Sequence, residues 1–443
     1  IPISSNSIPL PQAETDHYVK INNRRHLNSG NQRMIKDNVR MRGFQERASV
    51  DALLELVKKH SSVKRYEQIE VVDSPGAILA EDIISPVNIP GFDRSAMDGF
   101  ALKGKETFGA DSYNPLSLKV IGEVTPGKQF DEEVRKGEAV RIMTGAPVPK
   151  GADAVLMAEY AQQNDDIVDV MQAVAPGKNV GKIGEDIRQG EVIFKKDRKI
   201  RAQDAAVMSS VGLQSVKVIA RPTVDILITG NEILKPGEKP TGVKIVDSNS
   251  VLLRNMIKRD GGVVLNIHYL PDQRELIKNA LLESTADIIC TSGGASVGVE
   301  DFAASLVSEL GELLVHGISM RPASPTGFGL IGGKKVFLLP GNPVSAMTAY
   351  DFFVRTAIQI SAGNNPDWPY RKKTVKLSTK ITSQIGRVDY VRVKLENNEA
   401  SLLSSSGASI LSSTSRADGF LITREESEGM AAGESVEIWL YDD

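Results

Sequence analysis

ADIICTSGGASVGVED, residues 286–301, is the stretch on which the fold turns. ADIIC is apolar and reads as a buried strand, and the run then breaks at Thr291-Ser292 and the glycine pair Gly293-Gly294, so a strand end opens directly into a loop. The same pattern recurs in TVDILITGNEI (223–233), GVVLNIHYL (262–270) and KKVFLLPGN (334–342). Between them, SVLLRNMIKRD (250–260) and QRELIKNALLEST (273–285) carry apolar residues at helical spacing. This alternation from Arg221 to about Gly363 is the signature of a parallel sheet covered by helices.

Ligands of such sheets collect beyond the carboxyl ends of the strands. Three loops lie there. The first offers Thr229, Gly230 and Glu232; the second Ser292, Gly293, Gly294, Ser296, Gly298 and Asp301; the third, Pro340, Gly341, Asn342 and Pro343, runs into a helix start. SGGASVG has the composition of an anion cradle, because paired glycines let backbone N–H groups converge and the serines add donors. It lacks the lysine of GxxxxGK[ST] and does not match GxGxxG, and a tight turn without a ligand suits the same residues. If phosphate binds beside Glu232 and Asp301, Mg²⁺ is implied between them, since carboxylates otherwise repel it.

GFDRSAMDGFAL (91–102) is too polar for a core and aims Asp98 outward between Gly91 and Gly99, although an ordinary turn would use the same residues. Short β-like pieces such as KVIGEV and DAVLMAEY, parted by RIMTGAPVPKGAD, suggest a β-rich lobe. KKTVKLSTKIT, DYVRVKLEN and SVEIWLYD suggest a C-terminal β-barrel or sandwich. SVDALLELVKKH (49–60) reads as an amphipathic helix capped by Ser49. Residues 1–41 are polar and basic and read as a flexible extension.

At 443 residues several domains are expected. A net charge of −3 argues against a nucleic-acid surface, and the absence of an apolar run of about 18 residues argues against a membrane span, which makes a cytoplasmic protein the expectation. Cys290 lies in an apolar run and reads as core; the five histidines show no zinc-like spacing.

Taken in order, GFDRSAMDGFAL, RIMTGAPVPKGADAV, GEDIRQG, ITGNEIL, DSNS, TSGGASVGVEDF and LLPGNPVSA resemble the MoeA family, the molybdopterin molybdenumtransferases, which include the gephyrin E domain. The resemblance implies a multidomain α/β plus β fold. Residues 42–90 and 180–218 would form a discontinuous linker domain, 91–179 a β-rich lobe, 219–362 a MogA-like α/β molybdopterin-binding domain with a parallel-rich sheet, and 363–443 a β-barrel-like domain. It implies a homodimer that inserts molybdate into adenylylated molybdopterin with Mg²⁺ and releases AMP. The substrate would come from a MogA-type adenylyltransferase, and molybdoenzymes would receive the product.

Residue by residue, the resemblance gives Asp98, Thr144 and Asp186 facing Glu232, Asp272 and Asp301 across the dimer, with Glu232 and Asp301 on the metal. Thr229, Gly230 and the glycine loop would hold phosphate, and Arg321 and Arg392 molybdate. The chain departs from the family where PGKP is usual: it reads Pro322-Ala323-Ser324-Pro325, without the lysine, and Ala408 stands where a serine is expected. This departure keeps a second reading open, a catalytically weakened relative acting as a dimeric scaffold. Molybdenum and tungsten suit the motifs equally.

Overall fold

The computed structural model describes residues 47–63, 65–293, 302–404 and 409–441. The extension 1–41, Gly294, Ser296, Gly298, Asp301 and Ala408 lie outside the described residues.

The α/β body is built on a six-stranded sheet. Its strands run in the order Val263–Leu270, Thr223–Thr229, Ile288–Ser292, Lys334–Leu339, Gly327–Ile331 and Glu312–His316. The first four are parallel, as the strand–helix alternation requires, because each crossover passes through a helix. The last two are antiparallel: the chain joins Glu312–His316, Gly327–Ile331 and Lys334–Leu339 without an intervening helix. The sheet is therefore mixed rather than wholly parallel. Thr223–Thr229 and Ile288–Ser292 are covered on both faces, which is why their sequences are apolar without alternation.

The helix Val50–Lys59 forms where the spacing predicts, with Ser49 Oγ accepting from the backbone N–H of Ala52 at 3.1 Å. Its apolar stripe, Val50, Leu53 and Val57, enters the α/β core beside Ala357 and Ile358. This first element of the segment 42–90 thus packs on the α/β body and not with the strands that follow it.

Those strands make three antiparallel pairs nested in sequence: Tyr66–Glu70 with Ser215–Ile219, Ile83–Ile84 with Val192–Phe194, and Arg94–Ser95 with Val180–Gly181. Between the members of the innermost pair the chain builds a separate six-stranded sheet, from Gly99–Leu102 to Ile167–Val170, with its own apolar cores.

At the C-terminal end, Val388–Glu396 pairs with both Glu399–Ser404 and Gly419–Ile422. Pairings through Arg371–Leu377 and Ser435–Leu440 close the ring, so the body is a five-stranded barrel. A short strand of the α/β body, Met320–Arg321, lies parallel to Val388–Asp389 and stitches barrel to sheet.

Candidate functional site

Strands Thr223–Thr229, Ile288–Ser292 and Lys334–Leu339 end side by side, so their loops share one edge. Gly293 has φ +93, and a Cβ there would lie 2.3 Å from the carbonyl oxygen of Thr229; only glycine lets the two loops approach this closely. Gly341 comes up on the same glycine. Asn249, buried at the start of helix Asn249–Arg259, donates from Nδ2 to Ser292 Oγ at 2.8 Å and to the Gly341 carbonyl at 2.7 Å. It ties the second loop to the third. Asp247 in turn accepts the N–H groups of Asn249 and Ser250 and the hydroxyl of Tyr269. Thr229 Oγ1 and Asn249 Oδ1 are buried here without a protein partner among the described residues.

Along this edge, Glu232 is exposed, with its carboxylate beside Gly230. Asp272 stands on the neighbouring loop, where Asn231 N–H donates to its carboxylate and its own N–H donates to Asn231 Oδ1, both at 3.2 Å. The structure thus gathers Thr229, Gly230, Glu232, Asp272, Ser292, Gly293 and Gly341 on one edge. Asp247, Asn249 and Asn231 join them; the motifs DSNS and TGNEI contained these residues, but their bridging role depends on tertiary contacts.

The second group sits on the inserted sheet. Asp98 accepts the backbone N–H of Thr144 at 2.6 Å and its hydroxyl at 2.7 Å, which holds the exposed carboxyl below its usual range. Gly99 is required next to it, because a Cβ there would lie 1.8 Å from the Leu156 carbonyl oxygen. The loop is anchored to GEDIRQG by Lys182 to Asp93 at 2.7 Å and by Arg94 to Glu185 at 3.3 Å. Asp186 is exposed, its N–H bonded to the Ile89 carbonyl.

A third group lines a cavity of about 330 Å³ between the α/β body and the barrel. Arg321 and Arg392 both line it, with Pro340, Asn342 and Ser345 of the third loop. Arg47, Arg387 and Tyr390, which sequence reasoning missed, line it too. Arg321 is paired with Asp389 at 2.8 Å.

No group of three His, Cys, Asp or Glu side chains suited to a metal converges among the described residues. Among them no helix is long and apolar enough to cross a membrane.

Comparison with known proteins accounts for the arrangement. Residues 48–212 match the MoeA N-terminal region (domain I and II), 225–359 a probable molybdopterin binding domain, and 374–441 the MoeA C-terminal region (domain IV). A putative molybdopterin biosynthesis protein of Methanocaldococcus jannaschii is 34% identical over 85% of this chain and 92% of its own length. A molybdopterin molybdenumtransferase of Haemophilus influenzae is 31% identical over 84% of this chain and 93% of its own. The crystal structure of a molybdopterin biosynthesis MoeA protein from Pyrococcus horikoshii superposes with a TM-score of 0.76 at 34% identity, covering 90% of this chain and all of that one. With all three regions present in order and relatives matched over nearly their whole length, this chain belongs to the MoeA family.

Proposed function

We propose that the chain inserts molybdate into adenylylated molybdopterin and releases AMP, working as a Mg²⁺-dependent homodimer. One observation carries the reading: the turn Pro340–Pro343 borders both the glycine edge, through Gly341, and the arginine cavity, through Pro340 and Asn342. A site for a phosphate anhydride and a pocket for an oxyanion therefore share a wall. Two anions that must meet are best held by separate cationic or N–H-rich surfaces a short distance apart.

Ser292, the backbone at Gly293 and Gly341, and Gly294, Ser296 and Gly298 of the same loop would hold phosphate oxygens. Asn249 keeps the two loops in register, so they present a preorganised surface at no cost on binding. Glu232 and Asp272 are hard oxygen donors at the same edge, with Asp301 of the loop beyond the described residues as a third. A site of few carboxylates fits Mg²⁺, which keeps waters and takes substrate phosphate oxygens rather than an all-protein cage. When bound, Mg²⁺ would neutralise the phosphate bridge and favour its cleavage by water into AMP and the pterin phosphate. The two pterin dithiolene thiols would each give up a proton as their sulfurs bond molybdenum, and one oxo group of molybdate would leave with both protons as water.

Asp98 stays ionised through its two bonds from Thr144, and it would face the Glu232 edge of a second copy, with Asp186 nearby. The scaffold alternative rests on the missing lysine and on Ala408, which lies outside the described residues; the cavity that the lysine would join is lined by four arginines.

The test is incubation of purified protein with adenylylated molybdopterin, Mg²⁺ and graded molybdate while AMP is followed. Molybdate-dependent turnover is expected. Binding without AMP release at any molybdate concentration would remove the catalytic reading.

A further inference from the structure

The arginine cavity is assembled from segments far apart in sequence: Arg47, the turn Met320–Pro325, the third loop, and Arg387, Tyr390 and Arg392 of the barrel. Among the described residues no carboxylate lines it. One stands directly behind: Asp389, only 1% exposed. It accepts Arg321 Nη2 at 2.8 Å, Arg387 Nε at 2.8 Å, Arg387 Nη2 at 3.3 Å and Ser383 Oγ at 3.0 Å. A single negative charge thus anchors two guanidiniums and leaves the cluster positive. Arg387 is fixed further by Nη1 donating to Gln384 Oε1 at 3.2 Å, and its side chain is 21% exposed.

On the turn facing these groups, Ala323 is buried at φ +90 and the short side chain of Ser324 ends in a buried hydroxyl with no partner among the described residues. Arg321 Nε is buried and likewise unpartnered there. Residues 322–325 bring no charge to the cavity; the charge comes from Arg47 and Arg321 on one side and from Arg387 and Arg392 of the barrel on the other.

We infer that Arg387 is a specificity-determining residue of this pocket, supplying for a doubly charged tetrahedral oxyanion the cation that the turn 322–325 lacks. The inference rests on reading the cavity as the molybdate pocket. A rigid guanidinium held at a fixed angle by a buried carboxylate presents its remaining N–H edge without reorganisation, and Ser324 leaves room for the anion to settle against it.

The test is calorimetric titration of the full chain with sodium molybdate, and separately sodium sulfate, without pterin. Arg387→Gln is expected to weaken molybdate at least tenfold. Ser324→Lys changes the wild-type affinity less than about threefold, whereas in the Arg387→Gln background it restores most of the loss, because one added cation replaces the other. Arg387→Lys keeps a positive charge against Asp389 and so folds even if the glutamine variant does not; lacking the two-pronged edge, it also binds about tenfold more weakly. Unchanged molybdate affinity in Arg387→Gln or Arg387→Lys overturns the inference and leaves the pocket reading standing. A wild-type chain that binds neither anion at millimolar concentration overturns both.

Discussion

At Gly293 the backbone is left-handed and the space beside it is filled by the Thr229 carbonyl, so neither the angle nor the packing admits a side chain. Gly293→Ala is expected to cost at least about 2 kcal/mol, from the strained φ and the displaced loop, read as a lower urea midpoint. Ala323 presents the opposite case. It holds φ +90 with a Cβ, and Ala323→Gly should raise stability by about 1 kcal/mol in the same measurement. Asn249→Ala removes the only described side chain bonded to both Ser292 and Gly341, and leaves a buried hydroxyl and carbonyl to find other partners. A loss of about 2 kcal/mol is expected, with AMP release reduced more than overall stability explains. The sequence displays these residues unequally. Paired glycines announce a backbone constraint, but an asparagine that joins two loops through space looks like any helix-start asparagine. Asp389 is equally silent, because its partners Arg321 and Arg387 meet it only after sheet and barrel have docked.

At the level of elements, the strand–helix alternation is readable because each period is local, and the four parallel strands follow from it. The antiparallel pair at the sheet edge is less visible: ELLVH and GFGLI are short, and no helix between them marks their direction. Val388–Glu396 forms a local hairpin with Glu399–Ser404 through Asn397-Asn398, but the barrel's closure depends on its second pairing, with Gly419–Ile422, which no local pattern encodes. Helix Ala202–Ser210 shows how such an element is secured. Asp204, nearly fully buried, accepts the N–H of Arg201 and is clamped by the guanidiniums of Arg198 and Arg201, which hold its carboxyl far below the usual range. Because its folded pKa is depressed, the stabilisation is complete above the unfolded value of about 4 and is lost as pH falls through the folded one. Asp204→Asn should therefore cost about 1–2 kcal/mol at pH 7 in urea unfolding, with the deficit shrinking as the pH is lowered below about 4.

For the whole molecule, the expected residues divide between two sheets: Asp98 and Thr144 on the inserted one, Glu232 and Asp272 on the α/β edge. If the working site is composed from two copies, Asp98→Asn and Glu232→Gln should each abolish AMP release alone. Mixed together in equal amounts and allowed to exchange subunits, they should recover about a quarter of wild-type turnover per active site, since about half the dimers regain one intact pocket of two. No recovery on mixing would place the two carboxylates in the same subunit's site or outside it.

The nested strand pairs between linker and inserted sheet have a mechanical consequence. Ser95 and Val180 are ladder partners, so the chain leaves for the inserted sheet and returns from it at a single point, as a hairpin's stem opens into its loop. The 96–179 segment is consequently a cassette on a twin-stranded stalk, steadied where the N–H of Ser95 donates to the Ala146 carbonyl and that of Gly145 to the Ser95 carbonyl; were it excised and the stalk closed by a tight turn, the remaining bodies would keep every strand pairing they make among themselves.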